Sequence, residues 1–260
     1  MNVVTPQWLL LDVPGAPQAG AMLQQQFAHA RWFWLFEDTE WHALREHGPA
    51  LIDLRTCPAL AGLCHSEVLF WRGLQIASEV SSTQLLEHLR RMLTVTFGLH
   101  HRALLSYYNP QTASYLFDAC DAQELSRWLG PISHLRWFGG TWADRAIGSQ
   151  GWQQLVNPGL AVSPLAVEEN LSPRQQEKLQ TCLLEQHAWH WSRSTGTDYN
   201  TLWSHVQEGL ALDFTERPVL DDWLWLRLQY PGALPGHALP GLTQQERLDS
   251  LRNRWQSDQP

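Results

Sequence analysis

The sequence predicts an α+β protein, with a mixed α/β sheet lobe over residues 1–140 followed by a smaller, mainly α-helical lobe over residues 141–260. In the first part, short apolar runs alternate with helical patterns, which is typical of a sheet covered by helices. In the second part, turn residues precede longer helical patterns with strong start signals. A chain of 260 residues is long enough for one large or two modest domains.

Short runs of apolar and aromatic residues predict the strands of the first lobe. The unbroken run Arg31–Phe36 is typical of a strand buried on both faces. The other predicted strands are Trp8–Asp12, Ala50–Leu54, Trp71–Ser78, Ala103–Tyr108 and Ile132–Phe138. Between them, residues 18–30 are weakly helical, and Ser81 with Gln84 forms a capping box before an apolar helical stripe over residues 85–93.

Asn109 and Pro110 are predicted to form a structural corner between a strand and a helix. Proline lacks the amide hydrogen that a sheet needs, so the strand ends there. Asparagine is a favourable N-cap and proline suits the first helical position. The next apolar residues follow at helical spacing on one face, which are Ala113, Leu116, Phe117 and Cys120.

The second lobe is predicted to begin with an irregular arm, because turn residues recur over residues 139–164. Ser172 and Pro173 then start a helix that should extend to about Ser194. Asp198 is expected to cap the next helix. The apolar segment Val219–Tyr230 fits a buried helix better than a strand, and Thr243 with Glu246 forms a last capping box.

The net charge of −8 argues against nucleic acid as a direct partner, because phosphate binding requires a positive surface. The sequence contains no run of about 18 apolar residues, so no membrane insertion is expected. The N-terminal residues lack the layout of a secretory signal, so a cytoplasmic location is expected. Fifteen tryptophans make the chain tryptophan-rich, and tryptophan is frequent both in cores and at binding hot spots.

No motif of a known catalytic or cofactor site is present, which argues against catalysis, and no cofactor or metal is expected. The four cysteines lie far apart without a C-x-x-C pair, and Cys57, Cys64 and His65 match no common zinc spacing. His187 and His190 lie on a predicted helix, but their spacing is not that of a metalloprotease. Scattered catalytic groups would escape such a search.

Five segments, in order, resemble the domain-of-unknown-function family of type VI secretion adaptor chaperones. They are Trp8–Asp12, Gly48–Leu54, Leu85–Leu93, the Asn109–Pro110 corner, and Leu129–Pro131 followed by Trp137. The resemblance covers roughly residues 8–140. Two positions depart from the family pattern, because Ser106 stands where arginine is common and Asn109 stands where aspartate is common.

The resemblance implies a non-enzymatic adaptor chaperone that binds an effector protein near its N-terminus and helps load it onto the VgrG spike protein. The helical lobe is expected to carry partner choice. The candidate partner-binding residues are Trp189, Trp191, Trp203, Tyr107, Trp137 and Trp142. The alternatives are a hydrolase or transferase with a scattered site in a cleft between the lobes, or an immunity protein.

Overall fold

A computed structural model describes residues 5–98, 101–235 and 241–257 of the chain. The chain divides into two compact units, Met1–Cys182 and Leu183–Pro260. The first contains sheet and helices and the second contains helices, so the α+β class is confirmed.

The strands of the first unit are β1 (Trp8–Leu11), β2 (Trp32–Trp34), β3 (Ala50–Asp53), β4 (Gly73–Ala77), β5 (Thr94–Phe97), β6 (His101–Leu104), β7 (His134–Gly139), β8 (Gly151–Val156) and β9 (Glu169–Asn170). Its helices are α1 (Pro17–Gln26), α2 (Pro58–Ser66), α3 (Ser82–Arg91), α4 (Pro110–Asp118), α5 (Ala122–Leu129) and α6 (Trp142–Ile147). Two short 3₁₀ helices span His42–His47 and Leu54–Thr56.

The main sheet has six antiparallel strands in the order β2-β3-β1-β4-β7-β8. Strand β1 is central, and all four of its residues are buried. Because alternate side chains point to opposite faces of a strand, Trp8 and Leu10 enter one core while Leu9 and Leu11 enter another. The first core includes apolar residues of α3, α4 and α5, and the second includes those of α1 and α2.

Two strand predictions require correction. The run Arg31–Phe36 forms only the three-residue strand β2, which is half-buried because it lies at the sheet edge and pairs with β3 alone. The strand predicted over Ala103–Tyr108 ends at Leu104, and it belongs to a separate sheet of order β6-β5-β9. Strand β5 of that sheet was not expected from the sequence.

The predicted arm over residues 139–164 contains helix α6 and strand β8, so the prediction of an irregular segment was wrong. Strand β8 pairs with β7 over its whole length, from His134 opposite Val156 to Gly139 opposite Gly151. Strand β9 pairs with β5 in the second sheet. These pairings hold residues beyond 140 in the sheet unit, and the division between the units falls at residues 182/183 rather than 140/141.

Helix α7 (Pro173–Thr195) begins in the first unit and ends in the second, where it is followed by α8 (Tyr199–Ala211), α9 (Arg217–Gln229) and α10 (Gln244–Ser257). The predicted caps are confirmed: Asp198 accepts from the Thr201 amide at 3.1 Å, and Thr243 and Glu246 exchange hydrogen bonds. The segment predicted as a buried helix is α9.

Arg227 of α9 is buried in the core of the helical unit. Its guanidinium forms an ion pair with Glu208, with Nε 2.9 Å from Oε2, and donates to the backbone oxygen of Ala233 at 2.7 Å. It also lies 5.7 Å from the ring centres of both Trp223 and Trp255. Because a buried charge needs such partners, Arg227 ties α8 and α10 to α9.

Candidate partner-binding surface

The six aromatic candidates fall into two groups. Tyr107, Trp137 and Trp142 lie in the sheet unit and expose only 0%, 3% and 6% of their surface. Trp189 and Trp191 on α7 and Trp203 on α8 lie in the helical unit and are half-buried. Only the second group therefore presents aromatic surface for a partner.

The buried candidates have contacts that explain their positions. The Tyr107 hydroxyl donates to the Leu89 backbone oxygen at 2.8 Å, and burial raises its pKa well above the ordinary value. The Trp137 indole donates to Ser114 Oγ at 3.0 Å. The backbone amide of Trp142 donates to the Tyr115 hydroxyl at 2.9 Å. These side chains pack and hydrogen-bond inside the sheet unit.

In the helical unit, Asp221 of α9 joins two aromatic residues of α7. His187 and Trp191 are four residues apart and so share one face of α7. The Trp191 indole donates to Asp221 Oδ1 at 2.9 Å. His187 Nε2 also lies 2.9 Å from Asp221 Oδ1, but its direction is outside the range of a hydrogen bond, so this is a close polar contact.

Burial lowers the pKa of His187, although the Asp221 carboxylate opposes that effect. The imidazole is therefore mainly neutral at pH 7, and the Asp221 charge is directed chiefly to the Trp191 N–H. This hydrogen bond holds the indole of Trp191 in one orientation.

Trp225 completes the surface and was not a candidate in the sequence analysis. Its ring meets that of Trp191 edge-on at 5.2 Å, and 54% of its surface is exposed. It lies one turn after Asp221, on the same face of α9. We call His187, Trp191, Asp221 and Trp225 the aromatic patch. Leu183, one turn before His187 on α7, is 66% exposed and extends the apolar area of the aromatic patch.

The corner at Asn109 and Pro110 is confirmed as a helix start. The Asn109 side-chain oxygen accepts from the amides of Gln111 and Thr112 at 3.0 and 3.3 Å, and Pro110 takes the first helical position. The Asn109 amide group also donates to Asp12 Oδ2 at 3.0 Å. The predicted cap thus has a second function, which is to link α4 to the end of β1.

Asp12 is buried with several donors around it. The Arg72 guanidinium lies 3.3 Å away and the Gly15 amide donates at 3.2 Å, and Arg72 also donates to Gln111. Burial raises the pKa of Asp12, while Arg72, Gly15 and Asn109 partly oppose that shift. Burial lowers the pKa of Arg72. The four side chains Asp12, Arg72, Asn109 and Gln111 form a polar cluster that fixes the corner.

The four cysteines are free thiols, and Cys57, Cys64 and Cys182 are buried. Burial raises the pKa of Cys64 to about 12, and that of Cys120 also to about 12, so both thiols are protonated at neutral pH. Within the described part of the chain, no three His, Cys, Asp or Glu side chains are grouped as metal ligands, and no helix is long and apolar enough to cross a bilayer.

Comparison with known families gives a match in the sheet unit. Residues 7–127 match DUF4123, a domain of unknown function. The DUF4123 region contains β1, the Asp12 cluster and the corner, and it ends before β7, β8 and the aromatic patch. No curated protein and no solved structure gives a significant match to the chain.

Proposed function

We propose that the chain is an adaptor chaperone, which binds a type VI secretion effector near the effector's N-terminus and helps load it onto the VgrG spike. The DUF4123 match supports this proposal, because that family is associated with effector adaptors of this secretion system. The observation that carries the binding role is the aromatic patch of the helical unit, outside the matched region.

The chemistry of the aromatic patch suits an apolar segment of a partner. Trp191 and Trp225 provide a large apolar area at low conformational cost, since each ring is already oriented by its neighbours. Tryptophan is among the residues most often found at hot spots. Two adjacent helices, α7 and α9, supply the patch, and this arrangement suits an amphipathic helix that places its apolar face against them.

The proposal is tested by expressing the effector with and without the chain. An effector that exposes an apolar segment should aggregate or be degraded alone and be recovered as a soluble complex on co-expression. Because apolar burial is not screened by salt, the complex should survive a rise from low to moderate salt. A complex that dissociates steadily over that range would mean that the acidic surface, rather than the aromatic patch, holds the partner.

Trp191→Ala and Trp225→Ala should each weaken effector binding by about 2 kcal/mol, which is roughly thirtyfold in Kd, if both are hot spots. Leu234→Ala is the matched control, because Leu234 lies in the same unit, is 82% exposed and is not part of the patch. Titration of the purified effector segment against each variant gives the comparison. If all three variants bound the effector with equal affinity, the binding surface would lie outside the aromatic patch.

A second readout separates the proposal from its alternatives. An adaptor should be recovered in a complex that also contains VgrG. An immunity protein should instead abolish the toxicity of the effector without binding VgrG, and that result would contradict the loading role.

A further inference from the structure

Strand β8 leaves one side of its backbone unpaired. In an antiparallel ladder such as β7–β8, every second pair of opposite residues is joined by two backbone hydrogen bonds. The residues of the pairs in between direct their N–H and C=O groups away from the partner strand. The backbone N–H of Asn157 donates to the backbone oxygen of Ser133 at 2.9 Å, which continues the register of β7 and β8. The groups of residues 151, 153 and 155 therefore point to β7, and those of Trp152, Gln154 and Val156 point away from the sheet.

No backbone or side-chain group in the described ranges pairs with these outward N–H and C=O groups. Sheet edges are usually protected by charged residues, by proline or by very short strands. Strand β8 has the sequence Gly-Trp-Gln-Gln-Leu-Val, which contains neither a charge nor a proline over six residues.

The opposite edge of the same sheet shows the protection that β8 lacks. Strand β2 has three residues, and the Arg90 side chain donates to the backbone oxygens of Leu35 at 3.2 Å and Trp34 at 3.5 Å. The contrast within one sheet indicates that the regular, uncharged edge at β8 is available for pairing.

The side chains beside this edge restrict what could pair with it. Trp152 and Val156 are 45% and 55% exposed, and Phe138 meets the Trp152 ring edge-on at 5.9 Å. The Arg136 guanidinium lies 4.6 Å from the centre of the Trp152 ring and donates to Gln75 at 2.7 Å. Among the described residues, no carboxylate forms an ion pair with Arg136.

We propose that β8 accepts an extended strand from a partner protein, which adds to the sheet by backbone hydrogen bonds. Its apolar side chains lie beside Trp152 and Val156, and a glutamate side chain reaches across β8 to Arg136 on β7. This is the pattern of β-strand addition, in which the backbone gives affinity and alternate side chains give specificity. The charge argues against a second copy of β8 as the occupant, because β8 carries no carboxylate for Arg136.

The test uses the full-length protein and a labelled eight-residue peptide that alternates valine with threonine and carries one central glutamate. Fluorescence anisotropy should show saturable binding in the micromolar to millimolar range. The same peptide with methylated nitrogens at alternate residues cannot donate its backbone hydrogens, and it should bind at least tenfold more weakly. A peptide with glutamine in place of glutamate should also bind more weakly than the glutamate peptide. The Arg136→Gln variant should bind these two peptides with equal affinity.

Two variants of the protein locate the binding on β8. Gln154→Pro removes one outward N–H without removing a bond to β7, and proline is tolerated on the open side of an edge strand. It should weaken peptide binding at least tenfold, whereas Gln154→Thr should bind like the wild type. Circular dichroism and the urea midpoint establish that both variants are folded.

Three results would overturn the proposal. They are the absence of saturable peptide binding, equal binding of the methylated peptide, and a wild-type dimer that becomes monomeric in Gln154→Pro. The last result would assign the edge to a second copy of the chain. The peptide experiment does not involve the effector. A failure of strand addition at β8 can therefore be distinguished from a failure of the proposed adaptor function.

Discussion

At the scale of single residues, Asn109 performs two tasks that no charged side chain can combine. Its oxygen caps α4 by accepting from two amides, while its nitrogen donates to the buried Asp12 carboxylate. Aspartate caps a helix about as well as asparagine does. It cannot donate when ionised, however, and it would place a second negative charge beside Asp12. The polar cluster around Asp12 therefore requires a side-chain amide at position 109.

Asn109→Asp should therefore destabilise the protein by about 2 kcal/mol at pH 7.5, although it retains the cap. The deficit should shrink near pH 5, because a proton shared between the two carboxyl groups restores a donor. Asn109→Ala should cost at least the 1 kcal/mol or so of a lost cap, with no such pH dependence. Urea unfolding of the three proteins at both pH values makes the comparison, and an Asp variant as stable as wild type would exclude the role given to the amide.

A compensating charge provides the control. In the family that the sequence resembles, arginine is common at the position of Ser106 and aspartate at that of Asn109. In this chain the Ser106 backbone oxygen accepts from the backbone N–H of Asn109 at 3.0 Å, so the two residues are close together in the turn. Ser106→Arg should recover part of the stability lost in Asn109→Asp and little in the wild type, as a double-mutant cycle would measure.

At the scale of elements, two helical glycines are in opposite environments. A Cβ added at Gly209 of α8 would lie 2.6 Å from Cδ1 of Trp223 on α9, so α8 and α9 are held at close approach. A Cβ at Gly62 of α2 would meet no atom within 4 Å. Intrinsic helix propensity favours alanine at both positions, whereas packing permits it only at Gly62.

Gly209→Ala should destabilise the protein by about 1–3 kcal/mol, because a rigid buried indole must shift to admit the methyl group. Gly62→Ala should instead stabilise it by up to about 1 kcal/mol. The midpoints of thermal unfolding of the two variants should thus move in opposite directions. A stabilised Gly209→Ala variant would show that α8 and α9 are less tightly packed than the structure indicates.

At the scale of the whole molecule, three buried or half-buried histidines make stability depend on pH. Burial lowers the pKa of His88, His187 and His205 below the ordinary value of 6.5. The hydrogen bond that Arg227 donates to His205 Nδ1 at 3.4 Å fits a neutral ring. At His88 the hydrogen bond from Nε2 to the Trp128 backbone oxygen, at 2.9 Å, partly opposes the effect of burial on the pKa. Both units contain such a group.

A histidine with a lowered pKa binds protons more readily in the unfolded chain than in the folded one. Its contribution to stability is therefore complete above pH 6.5 or so, and is lost as the pH falls from there towards the folded pKa. The urea midpoint should decrease between pH 7.5 and pH 5.5. Replacement of His88 by Gln should make the urea midpoint depend less on pH. A midpoint that increases as the pH is lowered from 7.5 to 5.5 would contradict this role of the histidines.

The candidate surface shows which part of a site can be read from sequence. Trp191 could be named because indole side chains are frequent at interfaces, but Tyr107, Trp137 and Trp142 were named by the same rule and are buried. Composition does not distinguish an exposed aromatic residue from a core one. The partner of Trp191, which is Trp225, became recognisable only when α7 and α9 were placed side by side.

The sequence by itself determined the features that depend on neighbouring residues. The caps at Ser81, Asn109, Asp198 and Thr243, the strand β1 and the α+β class follow from local propensity and periodicity, which act over a few residues. Tertiary structure alone decided that β2 is an edge strand, that β8 extends the sheet, that the units divide at 182/183, and that Asn109 meets Asp12. These features depend on pairing between residues distant in the chain, and such pairing is set by packing of the whole fold rather than by local pattern.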